Sequence, residues 1–178
     1  MIRLSATIKG LITGLLMIGI SLGIYYSRGN FQNNLQYITY LLYIAGIVYS
    51  LYSYQKHSRQ NSSFKNYFSE GFKCFIVVTL LMVAFTWIFL KTHPALKDQM
   101  AQGYRTELLS KGDHTPAEVD DMVLKAKQYF ITMFTAMAIF GYLIIGALVS
   151  VIGAVFFSQQ DNAQVRREAA RAHAAEKK

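Results

Sequence analysis

The apolar positions of this chain gather into four long runs, and the charged positions lie almost entirely between them. The runs are Ile8 to Tyr26, Leu35 to Tyr54, Phe72 to Leu90, and about Tyr129 to Phe157. A hydrocarbon core about 30 Å thick takes roughly 20 helical residues to cross, and each run supplies about that many. The runs are apolar all round rather than along one stripe, the pattern of helices solvated by lipid. The ten-residue alternation of a membrane β-barrel is absent. The pattern predicts an all-α membrane protein: four transmembrane helices in an antiparallel bundle, as one polytopic domain over residues 1–178 with spans at about 8–26, 35–54, 72–90 and 129–157.

The segments between the runs have patterns of their own. The short link Ser27 to Asn34 forces the first two spans antiparallel. Residues 64–72, FKNYFSEGF, predict an interfacial elbow helix whose aromatic face would lie in the headgroup plane. Phe64, Tyr67, Phe68 and Phe72 are its membrane-interface residues, with Trp87 at the opposite interface. Residues 91–128 read as two helices split by Ser110 to His114, an extracytoplasmic helical hairpin between spans 3 and 4. The second helix starts at Thr115-Pro116-Ala117-Glu118, a hydroxyl cap, a proline and a carboxylate, and runs on into the last span. Residues 158–178, rich in alanine and charge, are expected to be a solvated cytoplasmic tail.

Small residues mark places where helices can approach closely. Gly10 and Gly14 form one GxxxG pair and Gly19 and Gly23 another, on roughly opposite faces of the first span. Gly146, Ser150 and Ala154 form a similar row in the last span, expected to pack against the first span's glycines. The second span is rich in tyrosine. Tyr43 and Tyr49 lie deep in it, with Thr79 and Thr135 among the hydroxyls that could satisfy them or line a bundle cavity with them.

Net charge is +8. Such a surplus raises nucleic acid as a partner, but here it sorts by side of the membrane, so no nucleic-acid partner is expected. Numbering sides alternately from the N-terminus, the first carries eleven basic residues, among them Arg3, Lys9, Arg59, Lys177 and Lys178, against four acidic ones. The other side carries seven against six. The positive-inside bias places both termini and the second loop in the cytoplasm. Arg3 and Lys9 ahead of an apolar run ending Ser21-Leu22-Gly23 resemble a signal peptide. The run continues through Tyr26, so an uncleaved span is expected.

Chemistry is sparse. Cys74 is the one cysteine, and in an apolar run it is expected to act as a small hydrophobe. His93 and His114 share a loop with Asp98, Asp113, Asp120 and Asp121, without the close spacing of a metal site. There is no P-loop, nucleophile elbow, paired-cysteine or dinucleotide motif. No catalytic residue, cofactor or metal is assigned.

Three stretches carry a resemblance: SSFKNYFSEGFKCFIVVTLLMVAFTW, PALKDQMAQGYRTELLSKGDHTPAEVDDM, and YLIIGALVSVIGAVFF followed by charges. Together they resemble an uncharacterised family of small bacterial membrane proteins, a domain of unknown function with four expected spans. The resemblance covers nearly the whole chain and implies no activity, cofactor or catalytic residue. Genes of that family often neighbour a membrane glycosyltransferase, which the resemblance implies as a partner. The expected function is that of a non-catalytic accessory or scaffold subunit, packing in the lipid bilayer with itself or another membrane protein. The alternative is a small transporter or channel for a neutral or lipidic molecule.

Overall fold

The computed structural model describes residues 5–28, 36–57 and 63–176. Arg3, Leu35, Arg59, Lys177, Lys178 and the link at 29–34 lie outside the described residues. The described chain is all-helical, without a strand: α1 (Ala6–Arg28), α2 (Gln36–His57), α3 (Phe64–Thr92), α4 (Pro94–Lys111) and α5 (Pro116–Glu176). Three stretches are long and apolar enough to cross a membrane, Ala6–Ser27 in α1, Phe64–Thr92, and Pro116–Ala175 in α5. The expected second span is helical but is not among them, because six tyrosines put phenol hydroxyls along α2 and dilute its apolar character.

Two boundaries differ from the expectation. The elbow is not a separate helix, since residues 64–72 are the first turns of an unbroken α3. No proline or glycine kink interrupts the run there, and the buried Gly71 is an ordinary helical residue. The tail is helical through Glu176, so α5 continues 19 residues past Phe157. Alanine, arginine, glutamate and glutamine are strong helix formers, which sustains a helix there without a core to bury.

The chain divides into two compact units, Met1–Met82 with Gly141–Lys178, and Val83–Phe140. The first is built inside out relative to a water-soluble protein. On α1 the buried stripe is Ala6, Lys9, Gly10, Thr13, Gly14, Met17 and Ser21, spaced three or four apart. The large aliphatics Leu11, Ile12, Leu15 and Leu16 face outward instead. Lipid tails are as apolar as leucine, so nothing drives these side chains inward, and small residues that permit close backbone contact occupy the seams.

The second unit contains α4. Its buried residues are Leu96, Ala101 and Leu108 from α4, with Val119 and Phe130 from α5 and Phe89 from α3. Pro94 opens α4, and Gly112 closes it at φ 69°, the left-handed conformation that glycine adopts without a Cβ clash. Thr115 caps α5: its backbone N–H donates to Glu118 Oε2 at 2.8 Å, and the Glu118 N–H donates to Thr115 Oγ1 at 3.4 Å. Asp98, early in α4, pairs with Lys127 at 2.7 Å, while Arg105, further on, pairs with the earlier Asp120 at 2.8 Å.

Candidate functional site: a polar core among packed helices

The first unit encloses polar groups at three levels. At one end the Tyr67 hydroxyl, fully buried, donates to Asp161 Oδ2 at 2.5 Å, and Gln55 Nε2 donates to Asp161 Oδ1 at 3.1 Å. α2, α3 and α5 are thus joined through one carboxylate. At the next level Lys9 Nζ meets Glu70 Oε1 at 3.3 Å and donates to the Ser50 carbonyl at 3.4 Å, joining α1, α2 and α3. The side chains of this pair are 5% and 16% exposed, which separates it from the surface ion pairs of the second unit. Further along, the Tyr43 hydroxyl donates to the Tyr142 carbonyl at 2.9 Å, joining α2 to α5.

Hydroxyls without partners accompany these bonds. Among the described residues, the side-chain oxygens of Ser50, Thr79 and Ser150 are buried in this unit and meet no hydrogen-bond partner, as does Thr135 in the other unit. Among the described residues, no three His, Cys, Asp or Glu side chains gather in a way that could hold a metal ion.

Glycines make the close approaches possible. A Cβ on Gly10 would lie 2.6 Å from the Cys74 carbonyl oxygen, and one on Gly14 would lie 2.7 Å from Leu81 Cδ1, so both face α3. A Cβ on Gly71 would lie 2.8 Å from Ser150 Oγ, and one on Gly146 would run into the Tyr43 hydroxyl and the Phe75 ring. Ala154 is fully buried in the same row of α5. The row Gly146–Ser150–Ala154 therefore meets α2 and α3 rather than the glycines of α1, of which Gly10 and Gly14 are occupied by α3. Among the described residues, nothing lies within 4 Å of a Cβ position at Gly19 or Gly23.

The other sequence candidates separate in the same way. Tyr43 is buried with Thr79 beside it, whereas Tyr49 is 58% exposed. Six residues on from Tyr43, Tyr49 is turned about 120° off the α5-facing side, so it does not line the interior. Tyr67, expected at the membrane interface, is buried because it shares the inner face of α3 with Gly71, Cys74 and Val78. Phe64 and Phe72 are exposed, with the Phe68 ring stacked on Phe64 at 5.9 Å between centroids and tilted against Phe72 at 6.0 Å. Trp87 is exposed, with Lys91 Nζ 3.9 Å from its ring centroid.

Sequence reasoning counted Lys9, Glu70 and Asp161 only as charges and passed over Gln55. The usable signal was spacing. Lys9 shares its stripe with Ala6, Thr13 and Met17, and Glu70 sits one turn from both Tyr67 and Cys74 on one face.

Residues 9–159 match the family described as a protein of unknown function, DUF4199. The chain belongs to the DUF4199 family. No curated protein and no solved structure matches it. The DUF4199 match begins at Lys9 and ends at Gln159, so it takes in Lys9, Glu70 and Tyr43 but stops short of Asp161.

Proposed function

We propose that this DUF4199 protein is a non-catalytic membrane subunit that works by packing with itself or with another membrane protein, a membrane glycosyltransferase being the partner implied by the family resemblance. In this reading α1, α2, α3 and the 129–157 part of α5 cross a bacterial inner membrane as an antiparallel four-helix bundle. Both termini are cytoplasmic, and α4 with the first turns of α5 forms a hairpin outside. α2 is the crossing with the most phenol hydroxyl, and it spends one of them on α5.

One observation carries the reading. The positions beside the glycines at 10, 14, 71 and 146 are filled by the chain's own atoms, while among the described residues nothing fills those beside Gly19 and Gly23 of α1. An interior closed in this way suits a packing module, and the open pair leaves a close-approach surface for a further helix. The test is native mass measurement of tagged protein extracted from its own membrane in mild detergent. Wild type should emerge with a partner of fixed stoichiometry, and Gly19→Leu with Gly23→Leu should shed it at unchanged thermal stability. A lone monomer in wild type and variant alike would refute the proposal.

The partnerless oxygens of Ser50, Thr79 and Ser150 favour a second reading, passage of a small neutral molecule along this polar core. Tyr43→Phe should then alter uptake of such a molecule by vesicles while leaving assembly intact.

A further inference from the structure

The first turns of α3 present two different faces. Tyr67, Glu70, Gly71, Cys74 and Val78 lie within an arc of about 100° and turn inward. Lys65, Phe68, Phe72, Lys73 and Ile76 lie within about 140° on the other side, with both lysines and Phe72 exposed. Glu70 is the one acidic residue in the whole of α3, and its carboxylate is turned inward to Lys9. The carboxylate that would ordinarily balance Lys73 is therefore committed to another lysine. Among the described residues neither Lys65 nor Lys73 makes an ion pair.

Lys73 also lies about 12 Å further along the helix than Lys65, within a stretch long and apolar enough to cross a membrane. An uncompensated ammonium beside lipid-facing aromatic rings is costly unless it reaches an anion. Its four-carbon stem can lie along the apolar surface while the charge reaches toward the headgroup layer.

We propose that this outward face of α3 binds an anionic phospholipid. The ammonium groups of Lys65 and Lys73 hold the phosphodiester, and Phe68, Phe72 and Ile76 pack against the glycerol and upper acyl chains. The inward commitment of Glu70 creates the site, because it leaves a helix with cations on one side only. The inference rests on α3 crossing the bilayer and is independent of whether the protein has a partner subunit.

The test counts lipids retained by the purified full chain in native mass spectra after exchange into micelles with equal phosphatidylglycerol and phosphatidylcholine. Wild type should keep phosphatidylglycerol preferentially. Lys73→Gln and Lys65→Gln should each lower that retention about fivefold, the effect of one basic residue near an anionic surface. Lys73→Arg should restore it, and Lys125→Gln, whose ammonium already pairs with Asp121 at 2.7 Å, should leave it unchanged. Lys65 and Lys73 are exposed, so neither glutamine variant should lower the melting temperature; if Lys73→Gln does, Lys65→Gln and Lys73→Arg decide. Equal retention of the two lipids, or wild-type retention in both glutamine variants, would overturn the proposal. Loss of bound lipid on adding millimolar inorganic phosphate would also overturn it, marking a site for free phosphate.

Discussion

The two compact units handle polar groups in opposite ways. In the second, apolar residues such as Leu96, Leu108 and Val119 are buried, and charges pair on the surface at 40–63% exposure. In the first, Lys9, Thr13, Ser50, Thr79 and Ser150 are buried, and Leu11, Leu15, Leu16 and Leu80 face outward. In the proposed arrangement the surroundings differ: water rewards burial of apolar surface around α4, whereas around α1 the large apolar residues gain nothing by turning in, and hydrogen bonds with close packing decide what does.

That contrast can be broken most forcefully at Glu70. Replacing it by alanine leaves the Lys9 ammonium buried without a counter-ion, and should cost about 3–5 kcal/mol in thermal unfolding of the detergent-solubilised protein. Replacing the pair together, Lys9→Met with Glu70→Leu, should recover most of that loss. A Glu70→Ala protein as stable as wild type would mean that the pair is not confined as its exposure indicates.

A second, smaller effect is expected at the glycine seam. Gly10→Ala places a Cβ against backbone of α3, which cannot swing aside as a side chain can, and should cost about 1–3 kcal/mol by the same measurement. Gly19→Ala meets open space and should not destabilise. Equal behaviour of the two would remove the distinction between a filled and an open pair.

The smallest effects belong to the second unit. Arg105→Ala removes a pair whose side chains are half or more exposed, and should change thermal stability less than either variant above. Here pH sharpens the comparison. The Lys127 ammonium beside Asp98 holds its carboxyl below the usual range. The folded state therefore gains from this carboxylate at neutral pH and loses that gain as pH falls through the carboxylate range. The protection of α4 amides, their exchange rate taken relative to the free-peptide rate at each pH, should fall on acidification in wild type, and this dependence should weaken in Asp98→Asn.

By itself the sequence determined that the chain is helical and where its long apolar runs lie. Long uncharged runs can satisfy their backbone groups only as helices, and the start of α5 was readable from Thr115, Pro116 and Glu118 because capping is local chemistry. Gly10 and Gly14 could be recognised as a close-approach face, but not as one that meets α3. The tertiary structure alone decided that the row from Gly146 to Ala154 packs on α2 and α3, that Tyr43 turns inward and Tyr49 outward, and that Tyr67 reaches Asp161. It also joined Lys9 to Glu70, 61 residues apart. A helix that is apolar all round gives no sequence signal for which side faces a neighbour, so partners across the core are fixed only when the helices pack.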